Sequence, residues 1–216
     1  MLQHNVIEES IDLNGQKLTL QIGKYAPQTD VSIYARLGDT VVLLTLAIGQ
    51  ETEMDYFPLS VEDIEKSYDG GIFQGSPGVK REGRPSDDAV LHGRFIDRGV
   101  RPLFPKHLRY ETQVIATLLS VDGVNSPEIV AAIAASAALH LSKLPWNGPI
   151  STSRVGYISA NGYGDGFIVN PTEEQQKLSS LDLILTSTKD RVVMIETGAE
   201  QVSEEIILKA IEHGKK

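Results

Sequence analysis

Ser32-Ile-Tyr-Ala-Arg-Leu37, Gly38-Asp39 and Thr40-Val-Val-Leu-Leu-Thr-Leu-Ala-Ile48 form one continuous stretch: two β-rich runs joined by a two-residue turn. Glycine and aspartate between such runs mark a β-hairpin. The second run is almost wholly apolar and rich in β-branched residues, as a central strand buried on both faces should be. Upstream, Asn5 to Leu13 and Lys17 to Gly23 flank Asn14-Gly15, the strongest short hairpin signal. The first fifty residues therefore read as a β-meander.

Downstream the period changes. In Pro85-Ser86-Asp87-Asp88, Ser86 can cap a helix and the two aspartates favour the positive end of its dipole. That helix is predicted to run to about Gly99 or Arg101 and to stop at Pro102. Thr112 to Val121 reads as a strand, and Ser126-Pro127-Glu128 opens a second helix. Ile129 to Leu144 carries alanine or another small residue on most faces, which suits close packing on a sheet, and Pro145 ends it. From Arg154 come a hairpin about Asn161-Gly162, a polar helix from Thr172, strands at Leu181 to Thr186 and Val192 to Thr197, and an amphipathic helix from Ser203. A meander with interspersed helices, rather than strict βαβ alternation, points to an α+β fold with mixed sheets packed against helices.

Composition narrows the chemistry. The 216 residues are 41% hydrophobic and 23% charged, enough to bury a substantial core in one domain or a compact pair of lobes, and residues 1–216 are expected to be a single domain. There is no cysteine, which removes disulfides, thiolate metal sites and cysteine nucleophiles and suits a reducing, cytoplasmic compartment. Met1 to Asn5 shows no basic region leading into an apolar run, and Ile129 to Leu141 is too short to span a bilayer, so no membrane partner is expected.

The formal charge of −9 argues against a polyanionic partner until its distribution is considered. Between Lys80 and Arg109 stand eight Lys or Arg residues against four acids. Arg94, Arg98 and Arg101 recur at helical spacing and fall on one face, spanning roughly 10 Å at about 1.5 Å rise per residue. Their planar forks suit phosphate oxygens. Lys80, Arg81 and Arg84 add cations beside Gly70 to Val79, a stretch with four glycines and one proline whose amides can also face an anion. Single-stranded RNA is thus a candidate partner. The alternative, a solvated and salt-bridged face, stays open because Glu82 adjoins Arg81 and Asp97 adjoins Arg98.

Here the sequence resembles a known family. Lys80-Arg-Glu-Gly-Arg-Pro-Ser86, Arg94-Phe-Ile-Asp-Arg98 and Arg101-Pro-Leu-Phe-Pro105 are similar to the signature of bacterial polynucleotide phosphorylases, in their first core domain. Tyr56-Phe-Pro-Leu59, Gln113 to Thr117, Ala134 to Leu139, Asn147 to Ile150, Arg154 to Tyr157, Val169 to Thr172 and Leu181 to Leu183 match in the same order. The resemblance implies a ribonuclease PH-like core domain, of the ribosomal protein S5 domain 2-like kind. It also implies a phosphate-dependent exoribonuclease that shortens RNA from its 3′ end, releases nucleoside diphosphates and takes part in mRNA turnover. The family's chains carry a second core domain, a helical linker, and KH and oligonucleotide-binding-barrel modules, and assemble as a homotrimer around an RNA channel. This chain is expected to represent the first core alone. Lys80, Arg81, Arg84, Arg94, Arg98 and Arg101 take the places of the family's RNA-facing cations. Ser76-Pro-Gly-Val79 stands where relatives place a phenylalanine pair, with Phe73 as a substitute.

The full enzyme implied by the resemblance uses inorganic phosphate and Mg2+ or Mn2+, held in the second core by two aspartates and a lysine. Here Asp182 matches one aspartate, Ile184 occupies the lysine's place, and Pro171-Thr-Glu-Glu-Gln175 offers no second aspartate. Asp182 thus reads as a degenerate remnant, no residue of this chain is expected to be catalytic or to ligate metal, and no cofactor is expected to bind firmly. His92 and His140 fall on helices without metal-ligand spacing. Ser151-Thr-Ser-Arg154 reads as a serine-rich strand edge and Gly162 to Gly166 as a hairpin loop. Two alternatives remain: a self-sufficient ribonuclease PH-like phosphorolytic nuclease, and a purely structural module for trimer assembly.

Overall fold

The meander forms as its turns require. In the computed structural model, which describes residues 6–13, 15–66, 68–71, 84–159 and 166–215, β1 (Ile7–Leu13), β2 (Gln16–Ile22), β3 (Val31–Leu37) and β4 (Thr40–Glu51) pair antiparallel in succession. Gly38 turns the third hairpin at φ +60°, and a Cβ there would stand 2.7 Å from both Asn125 Nδ2 and Asp122 Oδ2. Only glycine fits that corner.

β4 lies inside a six-stranded sheet of order β1-β2-β3-β4-β6-β5, where β5 spans Leu59–Ile64 and β6 spans Tyr110–Ser120. Val42, Leu44 and Leu46 on its inner face are essentially inaccessible, and each such side chain contributes about 1.5–3 kcal/mol by leaving water. β5 (Leu59–Ile64) runs parallel to β6 at the sheet edge, an element absent from the expectation. Its alternation is weak as text because Asp63 takes the place of an apolar residue on the inner face.

Two helices cover this sheet. α1 (Asp87–Val100) begins where expected: the Ser86 hydroxyl accepts from the Ala89 N–H at 2.9 Å. It gives way to a 3-10 turn, Arg101–Leu103, that carries Pro102. α2 (Pro127–Leu141) is buried on nearly every side, lying against β3 and β4 on one flank and β7 (Ser151–Tyr157) on the other. It ends three residues before the expected Leu144, because Ser142 closes it: its N–H and its hydroxyl both donate to the Leu139 carbonyl.

The second sheet, of order β10-β9-β7-β8, is wholly antiparallel, with β7 at Ser151–Tyr157, β8 at Phe167–Val169, β9 at Leu181–Ser187 and β10 at Val192–Ala199. The turn about Asn161-Gly162 lies outside the described residues. Ser151 to Arg154 lies on β7 and pairs with β9 alone, because β8 begins its ladder only at Val155, so this stretch is a strand edge as expected. α3 (Glu173–Leu178) opens with a reciprocal capping box between Thr172 and Gln175. α4 (Glu204–Gly214) closes the second sheet's far face, where Ala210 meets Val155, Leu181, Leu183 and Leu185. The layers therefore run sheet, helices, sheet, helix, which is the α+β arrangement expected. No helix among the described residues is long and apolar enough to cross a membrane.

Candidate functional site

The α1 spacing that aligned three arginines holds, but their side chains do different things. Arg94 is exposed and forms no ion pair among the described residues. Arg98 meets Glu196 of β10 at 3.0 Å, with both side chains about half exposed. Such a pair contributes little in water and can be exchanged for another anion. Arg101 is committed to the fold: it reaches Asp97 at 2.6 and 3.0 Å and donates to the carbonyls of Phe57 and Leu59. It thereby ties the end of α1 to the start of β5. The expectation of three available guanidiniums on one face narrows to two, with Arg84 exposed just ahead of the helix. Lys80, Arg81, Phe73 and Ser76 to Val79 lie outside the described residues.

On the other side of α1 is an open cleft of about 590 Å³, bordered by Asp88, His92, Ser126, Glu128, Arg154 and Asp182. β7 carries Arg154 into its floor, with 18% of the side chain exposed. Its Nε and Nη2 each meet an oxygen of Asp182 at 2.6 Å, and its Nη1 reaches Glu128 at 2.5 Å. Ser126 donates to the same Glu128 oxygen at 2.7 Å. Burial acts to lower the pKa of the guanidinium, but the two carboxylates outweigh it and raise the value above its ordinary one. Asp182 is thus occupied on both oxygens, and Ile184 beside it offers no cation. These residues do not fit the divalent ion that the resemblance places in the catalytic core.

A third cluster was not legible in advance. His92 Nδ1 lies 3.2 Å from Asp63 Oδ2 and 4.0 Å from Glu65 Oε1. Leu59, Val61, Asp63 and Glu65 alternate along β5 and its extension, so Asp63 faces inward beneath α1, where its side chain is 8% exposed. Its hydrogen bond to His92 raises the imidazole pKa, burial lowers it, and nearby Glu128 and Glu65 add to the rise. The helix itself gives His92 no metal-ligand spacing; its carboxylate neighbour Asp63 comes from β5, twenty-nine residues away in sequence. Its signal in the sequence is an acid on the inner face of an alternating strand, readable only where the strand itself is recognised. Arg154 and Glu128 were likewise missed as partners, since nothing in their local sequence announces a bridge across three elements.

Comparison with known proteins fits this architecture. Residues 14–145 match the 3′ exoribonuclease family, domain 1, and residues 148–216 match domain 2 of the same family. The chain is 44% identical, over 99% of its length, to a polyribonucleotide nucleotidyltransferase of Desulforamulus reducens. It is 46% identical, over 95% of its length, to one of Thermus thermophilus. In both cases it spans only 28% of the relative's length. Among solved structures, rice (Oryza sativa) Rrp46 superimposes with a TM-score of 0.71 over 91% of this chain and 86% of its own, at 16% identity, which bears on the fold alone. The ribonuclease PH-like fold is therefore the fold of this chain, and the chain belongs to the 3′ exoribonuclease family.

Proposed function

We propose that this chain works as an RNA-guiding, non-catalytic core domain of a polyribonucleotide nucleotidyltransferase, serving phosphate-dependent 3′-to-5′ RNA degradation. The observation that carries the reading is the bidentate closure of Asp182 by Arg154. A carboxylate neutralised on both oxygens is a poor ligand for the cation that phosphoryl transfer needs. Arg84, Arg94 and Arg98 remain on the surface as phosphate contacts, with Lys80 and Arg81 next to them in sequence. Mg2+ or Mn2+ and inorganic phosphate belong to the complete enzyme, as do a homotrimeric ring and a cytoplasmic setting.

The test is binding of a single-stranded oligoribonucleotide across a salt series. Each phosphate contact contributes about −0.7 to the log–log salt slope for single strands. Arg94→Glu with Arg98→Glu should flatten the slope by roughly 1.4 and weaken binding at low salt. An unchanged slope rejects RNA guidance by this helix. Phosphate-dependent release of nucleoside diphosphates by the chain alone, lost in Asp182→Asn, would instead establish a self-sufficient nuclease.

A second reading has its own observation. Val90 and Leu91 are 49% and 54% exposed on the same helix as Arg94. Apolar side chains beside two arginines also suit a protein interface. If the double charge reversal abolishes assembly while RNA binding persists, the helix is an assembly face.

A further inference from the structure

The cluster beneath α1 holds more negative charge than its histidine can balance. Asp63 and Glu65 converge on His92, one ligand atom from each lies within 4.8 Å of the others, and His92 is the only Lys, Arg or His within ion-pair distance of either among the described residues. Asp63 is more than nine-tenths buried, yet only its Oδ2 is hydrogen-bonded among the described residues. No buried side-chain oxygen among the described residues lacks a partner, so the second Asp63 oxygen is reachable by solvent and open to an ion.

Glu65 is already aimed. The Ser86 hydroxyl donates to Glu65 Oε2 at 2.7 Å, while its own oxygen accepts from the Ala89 N–H. That leaves Oε1 turned toward His92. An outer hydrogen bond that orients a carboxylate in this way is what metal sites use to fix their ligands. The spacing also fits. Metal–ligand bonds of about 2.0–2.2 Å place tetrahedral ligand atoms roughly 3.4 Å apart. The His92–Asp63 separation of 3.2 Å already meets that spacing, and the 4.0 Å to Glu65 closes with a small rotation of a side chain that is one-third exposed.

We propose that Asp63, Glu65 and His92 bind one divalent transition-metal cation, Zn2+ or the harder Mn2+, which fastens the end of β5 to the first turns of α1. One imidazole and two carboxylates favour such an ion over Mg2+ or Ca2+, which prefer all-oxygen shells. His92 also borders the open cleft, which gives solvent and an ion a way in. The site is built from different residues than Asp182 and does not depend on the RNA-guiding role, so either can fail without the other.

The test uses the whole chain, stripped with chelator, in equilibrium dialysis against Zn2+ alone, Mn2+ alone and Mg2+ alone, with bound metal counted by elemental analysis. One equivalent of Zn2+ or Mn2+ per chain is expected, with a raised thermal midpoint and no displacement by Mg2+. Asp63→Asn and His92→Gln should remove that equivalent, and Ser86→Ala should weaken it on the order of tenfold. His92→Gln retains a side chain that can hydrogen-bond to Asp63, and circular dichroism of the metal-free variants shows whether each is folded. If a variant is unfolded, the visible spectrum of the Co2+ form of the unmutated chain decides, through the presence or absence of a nitrogen- and oxygen-ligated band. No stoichiometric Zn2+ or Mn2+ binding, or an equivalent that survives in folded Asp63→Asn and His92→Gln, overturns the proposal.

Discussion

Arg154 and Asp182 sit diagonally across the β7–β9 ladder, Arg154 opposite Ile184 and Asp182 opposite Gly156, with both guanidinium–carboxylate bonds at 2.6 Å. The same guanidinium continues to Glu128 at the start of α2, so one side chain joins the second sheet to the central helix. The two carboxylates are unequal: the Glu128 side chain is 7% exposed and that of Asp182 48%.

That inequality fixes the outcome of mutation. Arg154→Met strands a buried Glu128 and should cost about 3 kcal/mol in denaturant unfolding. Asp182→Asn leaves Arg154 its inner partner and should cost no more than about 1 kcal/mol. A double-mutant cycle with Glu128→Gln should show strong coupling to Arg154, and equal costs for the two single variants would contradict this ordering.

Arg101 and Arg94 are predicted to separate by stability rather than by charge. Arg101→Ala releases two main-chain carbonyls and Asp97 and should destabilise the fold by roughly 1.5–3 kcal/mol. Arg94→Ala, at an exposed position with no ion pair among the described residues, should fall within about 0.5 kcal/mol of the parent. Thermal or urea unfolding of the two variants checks this directly, and RNA binding should follow the reverse order.

Gly93 sets the distance between α1 and β5. A Cβ there would stand 3.0 Å from the Val61 carbonyl oxygen, which belongs to a strand held on β6. Gly93→Ala gains about 1 kcal/mol of helix propensity but meets overpacking of about 1–3 kcal/mol. Net destabilisation is expected, with a lengthened His92–Asp63 contact visible as a shift of the His92 imidazole resonances. A stabilised variant with unchanged resonances would show that β5 yields easily.

Asp122 governs acid sensitivity at the β3–β4 corner. Burial pushes its carboxyl up, but the Asn125 N–H and side-chain amide and the Val124 N–H, each 2.7–2.8 Å away, hold it well below the usual carboxylate range. A depressed folded-state pKa stabilises above the unfolded value of about 3.9, and that contribution is lost as pH falls from there. Asp122→Asn should therefore be less stable at neutral pH and show a flatter loss between about pH 4 and pH 2. Parallel curves for parent and variant would rule out this role.

Much of this was written locally. Asn14-Gly15 and Gly38-Asp39 announced their hairpins, Ser86 and Ser126 their helices, and Arg154 to Thr197 its strand order along the chain, because turns and caps depend on residues a few positions apart. β5 escaped notice because Asp63 occupies an apolar position, and its meaning lies in His92. The arginines were legible as a helical row, but whether each was free depended on Glu196, Phe57 and Leu59, which are remote in sequence.

The sequence by itself determined the α+β class, the meander, the positions of the helices and the family, since hydrophobic period, turn residues and motif order are properties of the chain as text. Only the tertiary structure decided which charges are available. It committed Arg101 to the end of α1, paired Asp182 with Arg154, and brought Asp63 and Glu65 to His92. The reason is physical: an ion pair's consequence depends on distance and burial, and both are set by elements that the fold brings together from distant parts of the chain.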